Sequence, residues 1–176
     1  MLKGNASQYV KAWRIRNRRT EERFDRFCQQ EQLSEGHGID HLFHDSRTEN
    51  FWSIVTNGLL INPDCGVQRT GSMFGNGTYF APLAQKSLGY TDGGYWAGGN
   101  TDVRFFAIYR VATGKHHDIY QGCDTSHTKN VFQKKYPGAH CVWAHGRGTG
   151  GTTLFNDEVV VYDEAQSTIE YLIMMK

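Results

Sequence analysis

Residues 72–90, SMFGNGTYFAPLAQKSLGY, carry an aromatic pair, Tyr79-Phe80, between a glycine turn and a short predicted helix. Pro82 fits the first turn of that helix, where a backbone N–H has no helical partner. Ser87 and Tyr90 are three positions apart and share a helix face, which Tyr79 would meet from a strand end. Two facing rings with a hydroxyl at their edge would form a slot for a flat, hydrogen-bonding ligand. The alternative is a glycine turn followed by ordinary core aromatics.

The composition predicts a single globular domain over residues 1–176. The chain of 176 residues is long enough to bury a core, and its 39% hydrophobic content includes many large aromatic side chains. A formal net charge of +1 provides no overall field that would attract nucleic acid or a membrane. No apolar run reaches the roughly 20 residues of a membrane span, and the N-terminus shows no signal peptide. We therefore expect an intracellular protein that does not bind membranes.

The chain has four cysteines, which are Cys28, Cys65, Cys123 and Cys141. They show no close pairing in the sequence, which favours reduced thiols over a disulfide framework. Cys123 and His127 are four residues apart, but further zinc ligands would have to come from His140 and Cys141, well downstream. A convincing zinc site pairs two short ligand steps. We therefore expect no metal.

The pattern of apolar residues predicts helices mainly in the first half of the chain. One amphipathic helix is predicted over residues 8–30 by a set that recurs at alternating steps of three and four, namely Val10, Trp13, Asn17, Thr20, Phe24 and Phe27. A strand is predicted at residues 40–44, followed by a helix between Thr48 as N-cap and the Asn57-Gly58 stop. Further strands are predicted at residues 103–111, within 152–163 and at the end of the chain, whereas residues 112–140 are predicted to be mainly loops. These expectations describe an α+β fold with mixed or antiparallel sheets.

The residues that suggest chemistry lie in three separate segments. The GNG triplet at residues 75–77 is neither a GxGxxG fingerprint nor a Walker A loop, so it does not predict a nucleotide loop of either kind. FHDSRTENF (43–51) puts His44 and Ser46 at a strand end, and FNDEVVVYD (155–163) puts Glu158 at a strand start. Because alternate strand residues face opposite sides, only one of Asp157 and Glu158 can enter a given cleft. Taken singly, His44 is also compatible with a structural histidine, and Glu158 with an exposed charge.

Together, these segments resemble the catalytic domain of the poly(ADP-ribose) polymerases, which are diphtheria-toxin-like ADP-ribosyltransferases with a His-Tyr-Glu triad. The resemblance extends from about Val10 to Lys176, and its blocks follow in the family's order and spacing. The family's Met-Phe-Gly-x-Gly-x-Tyr-Phe-Ala block is matched by residues 73–81 without a gap. The other matching positions are His44-Asp45-Ser46 for the His-Gly-Ser signature, Asn50 in the helix that follows, Ser87 and Tyr90 in the pocket helix, and Glu158 for the triad glutamate.

The resemblance implies an ADP-ribosyltransferase fold with split β-sheets, and NAD+ as a substrate and not as a permanently bound cofactor. It implies a catalytic set and an NAD+-binding set. The catalytic set is His44, Tyr79 and Glu158. The binding set is Asp45, Ser46, Asn50, Gly75, Ser87 and Tyr90.

The resemblance also implies how nicotinamide would be held. Tyr79 and Tyr90 would sandwich the cationic ring, and contacts of this kind contribute about 0.5–2 kcal/mol each. Ser87 would hydrogen-bond the carboxamide. Asp45 replaces the family's glycine, whose backbone N–H and C=O grip the same carboxamide. Glycine tolerates unusual backbone angles better than aspartate does, so the conformation at this position matters.

The ribose contacts follow from the same resemblance. Glu158 would hold the 2′-hydroxyl of the nicotinamide ribose and stabilise the positive charge that develops when the glycosidic bond breaks. His44 and Ser46 would hold the adenosine ribose hydroxyls. Leu60 and Asn76 replace basic residues that some members have near the diphosphate and the acceptor. This replacement predicts mono(ADP-ribose) or short chains as the product.

The expected function is therefore transfer of ADP-ribose from NAD+ to a macromolecular acceptor. A protein acceptor is favoured, including the chain itself, and a nucleic-acid acceptor stays open. One alternative is a module that binds NAD+ or ADP-ribose with weak or no turnover. A second is an RNA 2′-phosphotransferase on the same fold, which relies on paired His and Arg residues and so fits the triad poorly.

Overall fold

The computed structural model describes residues 9–61, 72–84 and 104–175. Within these residues the chain forms three α-helices and nine strands, which confirms the expected α+β class. The helices are α1 (Arg18–Gln30), α2 (Phe51–Asn57) and α3 (Lys129–Lys135). The strands are β1 (Tyr9–Arg14), β2 (Ser34–Glu35), β3 (Gly38–Asp45), β4 (Thr78–Phe80), β5 (Arg104–Ala112), β6 (His116–Ile119), β7 (Cys141–Ala144), β8 (Glu158–Val161) and β9 (Ser167–Met175). No helix in the described ranges is long and apolar enough to cross a membrane.

The strands form two sheets that are joined by one backbone bridge among the described residues. The first sheet has the order β1-β9-β5-β3-β2, and the second has the order β4-β8-β7-β6. The β2–β3 and β6–β7 pairs are parallel and the others are antiparallel. Phe43 in β3 and Ala81 after β4 exchange two backbone hydrogen bonds of 2.8 Å each, so the two sheets are joined there. This junction brings the end of β3 beside the end of β4.

The N-terminal segment differs from the predicted helix over residues 8–30. Residues 9–14 form β1, which pairs antiparallel with β9, and the helix begins only at Arg18. Asn17 caps that helix, since its side chain accepts a hydrogen bond from the Thr20 N–H. Trp13 packs against Phe105 with ring centroids 6.4 Å apart. Backbone pairing and this aromatic contact therefore override the helical periodicity of residues 9–14.

The segment predicted to be mainly loops contains two elements. β6 adds to the edge of the second sheet beside β7, and α3 follows with its N-cap at Thr128. The helix has only seven residues, and Phe132 is its buried side chain. Elements this short carry too few apolar positions to give a clear period. The predicted stop at Gly58 is confirmed, because Gly58 has φ 82° and its N–H bonds the Ile54 carbonyl, whereas Thr48 begins a 3-10 turn before α2 and not the helix itself.

The core between the two sheets is apolar, with one polar clamp. Buried side chains from both sheets meet there, and the main ones are Leu42, Tyr109, Val111, Ile169, Phe80, Val159 and Val161. Gln166 is buried among them, and its amide donates to the Ala112 carbonyl at 3.1 Å and the His140 carbonyl at 2.8 Å. Since Ala112 ends β5 and His140 precedes β7, this side chain ties the first sheet to the second.

Candidate active site

Tyr79 and Glu158 lie on adjacent strands of the second sheet and share one face of it. Tyr79 of β4 pairs with Val160 of β8. Because side chains alternate along a strand, Glu158 faces the same side as Val160 and Tyr79. Two residues that are 79 positions apart in the chain are therefore brought to one surface, as the three-segment hypothesis requires.

The Tyr79 ring is fixed by two hydrogen bonds from its own loop. Its hydroxyl accepts from the Phe74 N–H at 3.0 Å and donates to the Gly75 carbonyl at 2.8 Å. Burial raises the pKa of Tyr79 to about 12; the Phe74 N–H opposes this rise, and the negative charge of Glu158 adds to it. Tyr79 is therefore a neutral phenol whose ring is held by backbone groups, which suits a stacking wall.

His44 is joined directly to the strand that carries Tyr79. Its Nδ1 lies 2.8 Å from the Tyr79 carbonyl oxygen, and because a carbonyl can only accept, Nδ1 carries the proton. Burial lowers the pKa of His44, although the bond to the carbonyl opposes this effect. The neutral ring then has its lone pair on Nε2, which can accept a hydrogen bond from a hydroxyl. The rings of Phe80 and Tyr109 pack against the imidazole at 5.6 and 5.8 Å.

Asp45 adopts a backbone conformation that any residue can take. It is the last residue of β3 and pairs with Phe106 of β5. Among the described residues, Gln32 is the one non-glycine residue with a positive φ, so Asp45 is not in the left-handed region that would require glycine. Beside it, the Ser46 hydroxyl accepts from the Asn50 amide at 2.9 Å and keeps its own proton to donate.

Because of this strand geometry, Asp45→Gly should keep or raise NAD+ turnover, and Asp45→Asn should change it little. A glycine at this position can still present the backbone N–H and C=O, and we expect a small stability cost of about 0.5–1 kcal/mol for glycine in a strand. The measurement is initial rates of nicotinamide release by both variants and the wild type. A large loss confined to Asp45→Gly would show that the aspartate side chain itself is needed.

Asp157 faces away from Glu158 and organises the glycine-rich loop at residues 145–151. Its carboxylate accepts from the Gly146 N–H at 2.8 Å and the Trp143 indole N–H at 3.1 Å, and it also accepts from the Thr149 hydroxyl. Burial opposes ionisation, but these hydrogen bonds prevail and the pKa of Asp157 is lowered. Of the two adjacent acids, Glu158 is thus the one beside Tyr79, and Asp157 is held by the loop.

The structure describes only some of the remaining residues that the sequence singled out. Gly75 lies in the turn before β4 with φ 85°. Ser87 and Tyr90 lie outside the described residues. Asn76 donates its backbone N–H to the His127 carbonyl at 2.7 Å, and Leu60 is 44% exposed. Arg147 is exposed in the glycine-rich loop.

The residues weighed as zinc ligands do not come together. Cys141 is fully buried in the core, where its thiol donates to the Thr113 carbonyl at 3.3 Å. His140 contacts Glu31, and His127 contacts Asp124 and Tyr162. Across the described part of the chain, no three His, Cys, Asp or Glu side chains form a group that could hold a metal ion.

Acidification below the ordinary histidine pKa of 6.5 should already destabilise the protein. Burial is the main cause that lowers the pKa of three histidines below the ordinary 6.5, and these are His44, His117 and His127. The unfolded chain therefore binds more protons than the folded one below about pH 6.5, so the free energy of unfolding falls as pH decreases through that value. The aspartates with lowered pKa, Asp124, Asp157 and Asp163, contribute stability that is lost only near and below their ordinary 3.8.

The check is the urea unfolding midpoint at pH 7.5 and at pH 5.5. The midpoint should be lower at pH 5.5, and His117→Gln should narrow the difference because one titrating ring is removed. Equal midpoints at both values for the wild type would contradict the prediction.

Comparison with known proteins extends the match beyond the motifs to nearly the whole chain. The family model of the poly(ADP-ribose) polymerase catalytic domain matches residues 3–176. A poly [ADP-ribose] polymerase-like protein, 100L, of Invertebrate iridescent virus 6 is 31% identical over 135 residues, which cover 75% of this chain and 68% of that protein. Poly [ADP-ribose] polymerase 1 of Xenopus laevis is 30% identical over 164 residues, but these cover 80% of this chain and only 15% of that protein. Protein mono-ADP-ribosyltransferase PARP8 of Homo sapiens is 39% identical over 54 residues, 31% of this chain and 6% of that protein.

Proposed function

Because the chain belongs to the poly(ADP-ribose) polymerase catalytic-domain family, we propose that it transfers ADP-ribose from NAD+ at a site formed by His44, Tyr79 and Glu158. Family membership confirms the resemblance found in the sequence, the α+β ADP-ribosyltransferase fold and the enzyme class of ADP-ribosyltransferase. The observation that carries the site is the bond of 2.8 Å between His44 Nδ1 and the Tyr79 carbonyl, on a strand next to that of Glu158.

The proposed cleavage of the bond between nicotinamide and ribose needs no general acid. Nicotinamide in NAD+ is a cationic pyridinium, so when its bond to ribose C1′ breaks, both electrons stay on the ring nitrogen and neutral nicotinamide leaves. The ribose becomes oxocarbenium-like, as in glycoside hydrolysis. Glu158 would accept a hydrogen bond from the 2′-hydroxyl and stabilise that positive charge. A nucleophilic atom of the acceptor then bonds to C1′, and any proton that it carried is released.

The remaining residues would hold the dinucleotide in place. Neutral His44 can accept from a ribose hydroxyl through Nε2, and Ser46 can donate its free hydroxyl proton, which supports their assignment to the adenosine ribose. Tyr79 provides one wall of the nicotinamide slot, and Tyr90 would provide the other. The carboxamide would be held by the Ser87 hydroxyl and by backbone groups at Asp45, with Asn50 and Gly75 completing the site. NAD+ acts here as a substrate, and we propose no metal in this chemistry.

Acceptor and product belong to the proposal as well. We propose that the acceptor is a protein, which includes the chain itself. We also propose that residues 1–176 form a single catalytic domain. A nucleic-acid acceptor and an intracellular location remain predictions. The relatives' names include both a poly and a mono transferase, so names do not decide the product. Asn76 lacks the charge that would make a stronger, charge-assisted contact to a diphosphate, which supports mono(ADP-ribose) or short chains.

The test is incubation of the purified protein with NAD+ labelled in its adenylate part. Release of nicotinamide measures cleavage, and label retained on the protein after denaturing electrophoresis measures transfer. Discrete bands one or a few units heavier support short products, whereas a high-mass smear overturns that assignment. Saturable NAD+ binding without nicotinamide release would show instead the binding module considered from the sequence. Parallel incubations with added RNA or added protein show which acceptor class takes up the label.

A further inference from the structure

The loop that carries Tyr79 is anchored to a distant turn of the chain. This tyrosine loop comprises residues 72–77, and the anchoring turn comprises residues 124–127. The Asp124 N–H donates to the Met73 carbonyl at 2.9 Å, and the Asn76 N–H donates to the His127 carbonyl at 2.7 Å. The two segments are thus joined at both ends of the loop by backbone hydrogen bonds.

Between those two bonds, a buried side-chain pair holds the middle of the loop. The Tyr162 hydroxyl donates to the Phe74 carbonyl at 2.6 Å. His127 is completely buried, and its Nδ1 lies 3.2 Å from the same hydroxyl oxygen. A phenol has one proton, and a carbonyl can only accept, so that proton goes to Phe74. His127 must therefore donate its Nδ1–H to Tyr162.

The surroundings of His127 favour a neutral ring, but Asp124 does not favour a proton on Nδ1 alone. Burial lowers the pKa of His127, the nearby charge of Asp124 opposes that shift, and Lys135 and His117 reinforce it. If the single proton is on Nδ1, the Nε2 lone pair lies 3.1 Å from a carboxylate oxygen of Asp124, and this contact opposes that tautomer because both atoms are acceptors. That oxygen accepts a hydrogen bond from Lys135 at 2.6 Å, so the lysine balances its charge.

The Phe74 peptide then connects both tyrosines. Its carbonyl accepts from Tyr162, and its N–H donates to the Tyr79 hydroxyl, which in turn donates to the Gly75 carbonyl. A change in the direction of the Tyr162 hydroxyl would rotate the Phe74 peptide and with it the hydrogen bond that fixes the Tyr79 ring. The pair of His127 and Tyr162 is therefore connected to the proposed nicotinamide wall without facing it.

We propose that His127 is a positioning residue for nicotinamide binding, which acts by holding the Tyr162 hydroxyl on the Phe74 carbonyl. The proposal rests on the ADP-ribosyltransferase function proposed above. It extends the site to a residue outside the three segments in which the sequence suggested chemistry. The imidazole of His127 reaches the tyrosine loop through the Tyr162 hydroxyl, so the effect of replacing this side chain should pass through Tyr162.

The test compares His127→Leu, which keeps bulk but removes the donor, with His127→Asn, which keeps a donor near the position of Nδ1. His127→Leu should raise the KM for NAD+ and the Kd of 3-aminobenzamide by about tenfold, as expected when a buried carbonyl loses a well-directed partner. His127→Asn should recover most of both values. A merely structural role would lower the active fraction, and hence the apparent kcat, with KM and Kd unchanged.

A double-mutant cycle tests the route of the effect. Tyr162→Phe should reproduce the His127→Leu values, and the double variant should be no worse than either single one, because both remove the same link. Tyr171→Phe, the same change on the first sheet, is the matched control and should leave both constants unaltered. Independent, additive effects would overturn the proposal. If His127→Leu does not fold, Tyr162→Phe and His127→Asn decide by the same measurements.

Amide hydrogen exchange separates this proposal from the proposed function. In substrate-free protein, the peptide covering residues 72–80 should exchange faster in His127→Leu and Tyr162→Phe than in the wild type or His127→Asn. Unchanged exchange in both would overturn the positioning role. If the wild type releases no nicotinamide and binds no 3-aminobenzamide, the proposed function fails, and the exchange measurement alone decides the role of His127.

Discussion

Replacement of Glu158 by glutamine should lower ADP-ribose transfer and NAD+ hydrolysis by about 10²–10³-fold, the range for loss of one preorganised electrostatic stabiliser. The structure supplies the reason, because Glu158 begins β8 on the same sheet face as Tyr79, and its charge is felt at the Tyr79 hydroxyl. Glutamine keeps the size and hydrogen-bonding capacity of the side chain but removes the negative charge. NAD+ binding should therefore be retained while the rate falls, since the charge is needed only as the ribosyl cation forms.

The matched control is Glu170→Gln, which makes the same chemical change on β9 of the first sheet. Glu170 is also mostly buried and contacts His41 at 2.9 Å, so this variant reports any general effect of removing a carboxylate. Single-turnover nicotinamide release and equilibrium NAD+ binding should be measured for both variants. Near-normal release by Glu158→Gln, with binding intact, would remove this residue from the catalytic set.

The parts of the site that the sequence predicted are those encoded in contiguous motifs. Residues 73–81 and the segments around His44 and Glu158 are local patterns, and the structure joins them through the Phe43–Ala81 bridge and the β4–β8 pairing. The strand over residues 9–14 is not predicted from the sequence, because it depends on pairing with a distant strand. Its partner β9 lies at the other end of the chain, and a local period cannot report a pairing between residues such as Ala12 and Ile173.

The supporting residues were missed because their roles depend on distant contacts. Tyr162 lies only four residues after Glu158 and would be taken for a core aromatic, yet its hydroxyl binds the Phe74 carbonyl 88 positions away. The sequence suggests His127 only as a possible zinc ligand. Asp157 was seen as the alternative to Glu158, whereas the structure gives it the backbone and side chains of residues 143–149 as partners. The sequence shows only that a tyrosine or histidine is present, and neither its burial nor its hydrogen-bond partner can be read from the neighbouring residues.

Gly75→Ala should disable the site by moving the tyrosine loop away from its anchoring turn. Gly75 has φ 85°. A Cβ added there would lie 2.2 Å from the carbonyl oxygen of His127 and 2.7 Å from the Cβ of His127. That oxygen accepts the Asn76 N–H, so the clash can be relieved only by loosening the bond that anchors the loop. The Gly75 carbonyl would move as well, and it is the acceptor of the Tyr79 hydroxyl. We expect NAD+ turnover to fall by about 10²-fold, since a misplacement of 1 Å can cost that much.

The stability of Gly75→Ala should fall as well, by about 2–6 kcal/mol, which combines the strain of a positive φ with the overpacking. Gly122→Ala separates these two causes, because Gly122 has nearly the same φ, 79°, but no atom within 4 Å of an added Cβ. It should lose only about 1–2 kcal/mol, with NAD+ turnover and 3-aminobenzamide binding at wild-type values. Urea unfolding and initial rates on both variants provide the comparison. The prediction would be contradicted if both alanine variants lost the same stability and kept their NAD+ turnover. The tyrosine loop would then accommodate the added methyl group, and its close fit against His127 would not determine the position of Tyr79.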